Sequence, residues 1–393
     1  MNKKSKFRIP KTDIITQEAP SEKERIWAID IARFYGIALI YYGHFIERII
    51  SLGNFSVFIQ YKFIYSFHMI LFFIIAGYVT KENDLQFSFS KYFKHRFMTR
   101  LLPFIFFNLL LIVPTFFLST KYIGLGLPSI HGYLKGIIWT LYGFVPFNPP
   151  TWFLLCLFTV EIVHYYAFKI LKSDSMILFG AVIFYCVGYI INWKFILFNP
   201  LLQGDVNWNY FYLHEALVLY SFYLLGIYFS HKKFLIGNAS RVKLLISLVI
   251  TLLIILFTFN LNNGPFRLVN AVIIRYSEHG NFLLFPLTAI AGSAFILLLS
   301  KVTPYQKAIV TIGKNTLILL GLNGLFYNYI NPNIVELIMN NLPNNSLIFF
   351  GVGFILTLVS LIICYPLIYL FNRYIPQLVG KPKFIGPILK NII

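Results

Sequence analysis

Long apolar stretches, separated by short polar connections, run through the chain from residue 27 onward. A transmembrane helix needs about 20 consecutive apolar residues, and several of these stretches reach that length. They lack the alternation typical of membrane β-barrel strands, and backbone groups in lipid must be hydrogen-bonded internally. The sequence therefore predicts an all-α, polytopic membrane helix bundle with about ten transmembrane helices. The predicted spans lie near residues 27–48, 58–80, 97–119, 151–171, 175–197, 211–230, 242–260, 280–300, 311–331 and 346–373.

The same pattern divides the chain into three regions. Residues 1–26 are predicted to form a polar arm, residues 27–373 the transmembrane domain, and residues 374–393 a tail. The stretch 120–150 contains Gly and Pro residues and Trp139, and we expect an interfacial or re-entrant element there. No cleavable signal peptide is expected, because the first apolar segment follows a polar arm and is too long for a signal-peptide core.

Composition supports a membrane location. Hydrophobic residues make up 58% of the 393 residues, charged residues make up 12%, and the mean hydropathy is +0.73. A soluble domain has about 45–50% apolar and about 25% charged residues. This chain cannot cover itself with a polar surface, so a soluble fold is excluded.

The net charge of +19 could indicate a nucleic-acid partner. The basic residues, however, lie in short connections between apolar spans, where they set topology and contact anionic lipids. Of the 33 Lys and Arg residues, 25 fall on the side of the N-terminus, seven fall on the other side, and Arg33 is inside the membrane. We therefore predict two cytoplasmic termini, multi-pass insertion in the cell (inner, cytoplasmic) membrane, and no nucleic-acid binding.

Cysteine and histidine spacing gives no sign of a metal site. Cys156, Cys186 and Cys364 lie inside apolar spans without zinc or redox spacing, which is typical of small core residues. No two histidines stand at ligand spacing with a carboxylate on one helix face. We expect no metal cofactor.

The first span carries two ionisable residues that can perform chemistry. Arg33 lies about 9 Å along the helix from Trp27, and His44 lies about 16 Å beyond Arg33, at 1.5 Å per residue. Eleven steps of about 100° give three turns plus about 20°, so both side chains share one face. Intramembrane ionisable groups usually face the bundle interior or an aqueous cavity. The alternative is that Arg33 extends to the membrane surface and His44 only bonds a neighbouring helix.

The first span also resembles a known signature. Asp30, Arg33 and His44 match the acyltransferase-3 family of membrane-bound sugar O-acyltransferases, in which an Asp stands three residues before the Arg and ten residues separate the Arg from the His. The second span, FHMILFFIIAGY, is similar to that family's F-H-M-P-L-F-F-x-x-S-G-Y block and keeps His68.

This sequence departs from the family pattern at several positions. In the second block, Ile70 replaces the usual Pro and Ala76 the usual Ser. Three weaker matches follow along the chain: RFMTRLLPF at 96–104, TWFLLCLF at 151–158 and IGKNTLILLGLN at 312–323. The resemblance thus runs from about residue 26 to 325. In the last of these, Thr316 replaces Ser, and Asn323 stands where a His is common.

The resemblance implies transfer of an acyl group from cytoplasmic acyl-CoA, acetyl-CoA in particular, to a hydroxyl of a cell-envelope glycan or lipid-linked sugar. Arg33 would then lie near the donor side and His44 near the acceptor side. A neutral His44 imidazole could take the hydroxyl proton as a general base, or carry the acyl group covalently. The sequence does not choose between these routes.

Other polar residues are candidates for supporting roles. Asp30, one turn before Arg33, is expected to orient it. Arg96 and Arg100 lie four residues apart on one helix face and could bind CoA phosphates, although anchoring to lipid headgroups explains the spacing equally well. Glu161 and His164, in the fourth span, are expected to pair with Arg33 or with each other.

Aromatic and histidine positions complete the set of candidates. His68 is expected to support the site because it belongs to the second family block. Trp152 could stack against a sugar, but an aromatic residue at the outer edge of a span is more typically an interface anchor.

The alternative function is a secondary transporter or exporter of a glycan or lipid-linked sugar. Such proteins often have two matching halves with helices broken at corresponding places, and the sequence shows no such repeat. A scaffold role would leave the intramembrane Arg33 and His44 unexplained. The expected partners are the acceptor, membrane lipids and, since no outer domain is fused to the chain, a possible separate partner protein on the outer side.

Overall fold

A computed structural model of the protein describes residues 27–118, 125–194, 210–236, 240–264 and 270–388. The described residues form helices joined by turns, with one isolated β-bridge between Ile273 and Glu278. The predicted all-α class is confirmed. The predicted polar arm, residues 1–26, lies outside the described residues.

Ten helices lie in the described residues of the first half of the chain. They are α1 (Trp27–Ser51), α2 (Phe58–Tyr65), α3 (His68–Tyr78), α4 (Glu82–Leu85), α5 (Phe89–Arg96), α6 (Leu102–Leu110), α7 (Ile112–Thr115), α8 (Ile130–Leu141), α9 (Trp152–Ala167) and α10 (Asp174–Lys194). A π-helical turn, Phe97–Leu101, joins α5 to α6. Such turns are rare and often occur at functional sites.

Seven described helices follow in the second half. They are α11 (Leu213–His231), α12 (Arg241–Thr258), α13 (Leu284–Val302), α14 (Lys307–Lys314), α15 (Thr316–Leu325), α16 (Asn331–Asn341) and α17 (Ser346–Tyr374). A second π-helical turn, Phe326–Ile330, joins α15 to α16. After α17 the chain forms a short 3₁₀ turn, Pro376–Val379, with Pro376, Gln377 and Val379 buried.

Among the described residues, seven helical segments are long and apolar enough to cross a membrane. An eighth arises if the bent pair Lys307–Lys314 and Thr316–Asn341, at 75°, forms one broken span. The predicted count of ten also included α1 and α9. Helix α9 has 16 residues, fewer than the roughly 20 of a full span, and the polar residues of α1 reduce its mean hydropathy.

Helix α1 lies at the centre of the bundle. It packs against α2, α3 and every helix from α13 to α17. The closest approach is to α14, where a Cβ added to Gly313 would lie 1.8 Å from the carbonyl oxygen of Asp30. Glycine at 313 therefore lets the backbone of α14 touch α1, and this contact brings Lys314 close to the N-terminal turns of α1.

A second close approach fixes α3 against α11. A Cβ added to Gly77 would lie 1.9 Å from the carbonyl oxygen of Tyr223, and one added to Gly226 would lie 2.0 Å from that of Ile74. Small residues of this kind let transmembrane helices pack closely in lipid, where hydrophobic burial does not drive helices together. The contact holds α3, which carries His68, in a fixed position.

Apolar side chains cover the outside of the bundle. Helices α12 and α17 expose many of them, including Leu245, Val249, Phe354 and Ile362, as expected for surfaces in contact with lipid. Within the stretch predicted as interfacial or re-entrant, α8 forms a 12-residue helix whose apolar side chains are exposed on one face.

Candidate active site

A cavity of about 230 Å³, called here the Arg33 cavity, lies between α1, α3, α9 and α15. Its walls are mostly apolar, and four basic side chains line it: Arg33, Arg100, Lys314 and Lys381. Its lining also includes Val379 and Gly380, which follow α17. Part of the segment predicted as a tail is thus packed into the bundle as a wall of this cavity.

A second cavity of about 210 Å³, called here the His44 cavity, is polar and aromatic. Its lining comes from five regions of the chain that are far apart in sequence. The side chains that characterise it are His44, Glu47, Tyr65, His68, Trp152, Arg275 and Tyr327.

The predicted shared face of α1 connects the two cavities. Arg33, Ile37 and Ile40 line the Arg33 cavity, and His44 lines the other. These positions are spaced by four, three and four residues, which keeps them on one side of a helix. The structure therefore brings Arg33 and His44 to the same face, in neighbouring cavities.

The His44 imidazole has a defined partner. Its Nδ1 atom lies 2.5 Å from the side-chain oxygen Oδ1 of Asn323 on α15. An amide oxygen only accepts hydrogen bonds, so Nδ1 is the donor, and in the neutral ring Nε2 then keeps its lone pair. The Tyr327 ring stands edge-on to the imidazole, with the ring centres 5.0 Å apart. This tautomer is the one that a general base acting through Nε2 needs.

His68 is a second imidazole with the same arrangement. It is 3% exposed, and its Nδ1 donates to the carbonyl oxygen of Ile64 at 2.8 Å. The Tyr65 ring packs edge-on against it at 4.8 Å. His68 therefore lies in the cavity next to His44, with its own Nε2 left as an acceptor.

Two charged residues of the His44 cavity were not singled out by the sequence. Glu47 accepts hydrogen bonds from the hydroxyls of Tyr65, at 2.5 Å, and Tyr327, at 2.9 Å. Its position one turn after His44 was the only local signal for it. Arg275 was counted only as a loop charge on the outer side.

Arg275 is the one cation among the described residues that line the His44 cavity. A 3₁₀ turn, Ile274–Tyr276, carries it, and the turn ends at Ser277 in the left-handed conformation with φ 57°. The Nε atom of Arg275 is buried without a hydrogen-bond partner, and the guanidinium forms no ion pair with a described carboxylate. The cavity thus contains a cation that its own carboxylate, Glu47, does not neutralise by direct contact.

Arg33 lies beside the residue that was expected to orient it. Its Nη1 atom is 3.4 Å from Oδ1 of Asp30, which is buried, while the Arg33 side chain is 25% exposed. A surface Asp–Arg pair would contribute little stability, but here the carboxylate is enclosed by the bundle and restrains the guanidinium.

A third cavity of about 280 Å³, the Glu161 cavity, adjoins the Arg33 cavity. The two share Ala76, Val79 and Arg100 in their linings. Together they are lined by seven Lys and Arg side chains and two carboxylates. This end of the bundle is therefore a basic pocket that continues into an apolar one.

The expectation for Glu161 is corrected. Its carboxylate accepts from Arg100 Nε at 3.1 Å and Nη2 at 2.8 Å, and it lies 3.4 Å from Arg96 Nη1. Its partners are thus Arg96 and Arg100, because α9 packs against the α5–α6 junction. His164 instead pairs with the hydroxyl of Tyr220 at 2.9 Å.

The contacts with Glu161 also limit what Arg96 and Arg100 can bind. Arg96 is 7% exposed, so it is not placed to anchor to lipid headgroups. Arg100 also donates from Nη1 to the carbonyl oxygen of Thr99 at 3.2 Å. Three of its N–H groups are thus engaged, and a guanidinium has others left for a ligand.

Trp152 differs from its expected position as an interface anchor. It is 7% exposed, packs against Tyr212 at 5.4 Å between ring centres, and lines the His44 cavity. The 3₁₀ turn Pro149–Thr151 comes directly before α9, and Pro149 and Pro150 line the same cavity. Within the described residues, no three His, Cys, Asp or Glu side chains gather closely enough to hold a metal ion.

Comparison with known proteins gives one match. No curated protein and no solved structure matches this chain. The model of the acyltransferase-3 family, described as an acyltransferase domain, matches residues 26–369, which is nearly the whole chain and includes α1, α3, α9 and α15. The protein therefore belongs to the acyltransferase-3 family of membrane acyltransferases.

Proposed function

We propose that this protein transfers an acyl group, acetyl in particular, from cytosolic acyl-CoA to a hydroxyl of a cell-envelope glycan or lipid-linked sugar. The observation that carries the proposal is the arrangement of the two cavities along α1. The Arg33 cavity reaches Ile40, and His44 stands in the next turn, inside a polar cavity. A donor bound in the first cavity would place its thioester close to a base in the second.

The basic end suits the phosphate groups of CoA. A CoA molecule carries a pyrophosphate and a 3′-phosphate, and charge-assisted hydrogen bonds from Arg and Lys bind such groups strongly. The apolar walls beyond, formed by residues such as Ile37, Phe72 and Leu320, suit the pantetheine arm. Glu161 holds Arg96 and Arg100 in place, so we assign Arg33, Lys314 and Lys381 the larger share of phosphate binding.

The transfer step uses the Nε2 atom of His44. The acceptor hydroxyl oxygen attacks the thioester carbonyl carbon while its proton passes to Nε2. The new C–O bond forms, the C–S bond breaks, and the proton passes from the imidazolium to the departing CoA thiolate. The products are an ester and CoA. A covalent acyl-His44 intermediate would use the same nitrogen as nucleophile and remains the alternative route.

Arg275 supplies the positive charge of the His44 cavity. The carbonyl oxygen of the thioester becomes negative as the hydroxyl attacks, and a fixed cation in a site shielded from water stabilises that charge strongly. A guanidinium stays charged at any physiological pH. We assign Arg275 this role because no carboxylate in the described residues neutralises it by an ion pair.

The proposed topology places the basic cavities toward the cytosol, in the cell membrane, with both termini on that side. The charge bias of the sequence supports it. Lys314 and Lys381 share the Arg33 cavity with the start of α1, so the described C-terminal residues lie at the same end of the bundle as the N-terminal turn of α1. The His44 cavity then faces the acceptor side, where lipid-linked sugars or a separate partner protein could present the hydroxyl.

The transporter alternative would use the two cavities as halves of a translocation path. The family match favours acyl transfer instead. The deciding experiment compares O-acyl groups on cell-envelope glycans with and without the gene, and then measures CoA release by the purified protein in lipid nanodiscs supplied with radiolabelled acetyl-CoA. Glycans with unchanged acylation, together with a protein that neither binds nor consumes acetyl-CoA, would overturn the proposal.

A further inference from the structure

Met69 is the one described residue that lines both the Arg33 cavity and the His44 cavity. It follows His68 directly on α3 and is 8% exposed. Its side chain therefore stands where the two cavities meet.

The lining also changes from one cavity to the other along α1, along α9 and in the α15 region. On α1 the lining changes from Ile40 to His44, which is one turn further along. On α9 it changes from Phe153 to Trp152. In the α15 region it changes from Leu320, in the Arg33 cavity, to Tyr327 in the π-helical turn, with Asn323 bonded to His44 between them.

Along α1, the layer between the cavities is thus about 6 Å thick, the rise of four residues. This inference rests on the proposed function, in which the donor enters from the basic end. The acyl group is the end of the donor that enters first, so it must cross this layer to reach His44. Ile40 and Phe153 belong to packed helices and have stiff side chains. A methionine has three rotatable side-chain bonds and adapts its shape to what surrounds it.

We propose that Met69 closes the passage between the two cavities and determines which acyl groups reach His44. In the resting protein its side chain separates the cytosolic cavity from the acceptor cavity. During transfer it moves aside for a small acyl group, and the space that it can vacate limits the size of the group. Met69 touches the entering acyl group and acts as a specificity-determining residue.

The first test measures donor choice. Purified protein in nanodiscs is given acetyl-, butyryl- or hexanoyl-CoA, and CoA release and CoA binding are measured for Met69→Ala, Met69→Phe and Met69→Leu. Met69→Ala should raise turnover of butyryl-CoA relative to acetyl-CoA by about tenfold, the discrimination that one or two methylenes give in an apolar pocket. Met69→Phe should lower acetyl turnover by about the same factor without weakening CoA binding.

Two variants serve as controls in this test. Met69→Leu nearly conserves volume and should stay close to the wild type. Leu245→Ala truncates an apolar side chain on the exposed surface of α12, outside the linings of both cavities, and should not shift the butyryl preference. If Met69→Ala and Met69→Phe both keep wild-type turnover and preference while binding CoA, Met69 does not gate the passage.

The second test needs no activity, which separates this inference from the proposed function. In a cysteine-free background, His44→Cys is exposed to a membrane-impermeant thiol reagent from each side of the membrane. It should react from the His44-cavity side alone, and adding Met69→Ala should make it reactive from the Arg33-cavity side as well. Equal reactivity from both sides with Met69 in place would show that the passage is open and would overturn the inference, whether or not the protein proves to use acyl-CoA.

Discussion

The Nδ1 atom of His44 lies 2.5 Å from Oδ1 of Asn323, although the two residues are 279 positions apart in sequence. This contact ties the first long helix of the described chain to α15 and fixes the ring as the tautomer with a free Nε2. The side chain needed at position 323 is thus a hydrogen-bond acceptor, which Asn323 supplies.

Substituting His44 should remove acyl transfer. Loss of a general base commonly costs about 10²–10⁴-fold, so His44→Ala and His44→Gln should leave at most faint activity, and essentially none if His44 carries the acyl group. Variants are expressed at matched membrane levels and glycan O-acyl groups are measured. His131→Ala, an exposed histidine on α8, is the control. Full acylation by well-expressed His44→Ala would remove the catalytic assignment.

Substituting Asn323 tests its positioning role. In Asn323→Leu the buried Nδ1–H of His44 loses its acceptor, at a cost of about 1–3 kcal/mol, and kcat should fall while KM for acyl-CoA stays near the wild-type value. Asn323→Asp keeps an oxygen acceptor and should recover much of kcat. A parallel fall in folded protein, with no rescue by Asp, would indicate a purely structural role.

Substituting Arg33 should weaken donor use. Arg33→Ala is expected to raise KM for acyl-CoA severalfold, and Arg33→Lys to have a smaller effect, since Lys lacks the planar fork of donors. Arg373→Ala provides the matched control, because Arg373 is an exposed arginine at the end of α17, outside the cavity linings. Unchanged CoA binding by Arg33→Ala would exclude Arg33 from the donor site.

Removing the Glu161 carboxylate should destabilise the protein. Glu161→Ala leaves Arg96 and Arg100 without their shared partner, and breaking a buried pair typically costs about 3–5 kcal/mol. Thermal unfolding in detergent measures the loss. Asp174→Ala breaks an exposed contact with Lys232 and should change stability little. Wild-type stability of Glu161→Ala would contradict the structural importance of the cluster.

Single cysteines test the proposed topology. In a background without Cys156, Cys186 and Cys364, Lys383→Cys should react with an impermeant reagent from the cytosol, and Ser51→Cys from outside. Both positions are exposed. The reverse pattern would show that the protein has the opposite orientation in the membrane, with the basic cavities on the side away from cytosolic acyl-CoA.

The hydrophobic pattern predicted the helices well, because a run of apolar residues in lipid has few alternatives to an α-helix. The shared face of Arg33 and His44 also followed from sequence, since helical periodicity fixes it. The predicted count of ten spans exceeds the seven or eight found among the described residues. The difference arises because α1 carries polar side chains and α9 is short.

Contacts between distant helices were not predictable in this way. Glu161 was expected near Arg33 or His164, but its partners depend on how α9 packs against the α5–α6 junction. Arg275 was assigned only a topological role, because nothing in its local sequence shows that its loop folds over His44. The resemblance to a family identified His68 and the first span, and it gave no signal for Glu47 or Arg275.

The central position of α1 has a consequence for how the chain is made. Among the described helices, α1 is synthesised before α13 to α17, which enclose it. Until α15 is made, His44 lacks Asn323, its hydrogen-bond partner, and a polar side chain without a partner is costly in lipid. A chain truncated after Val302 should therefore be less stable in the membrane than the longer chain, which pulse-chase labelling can measure.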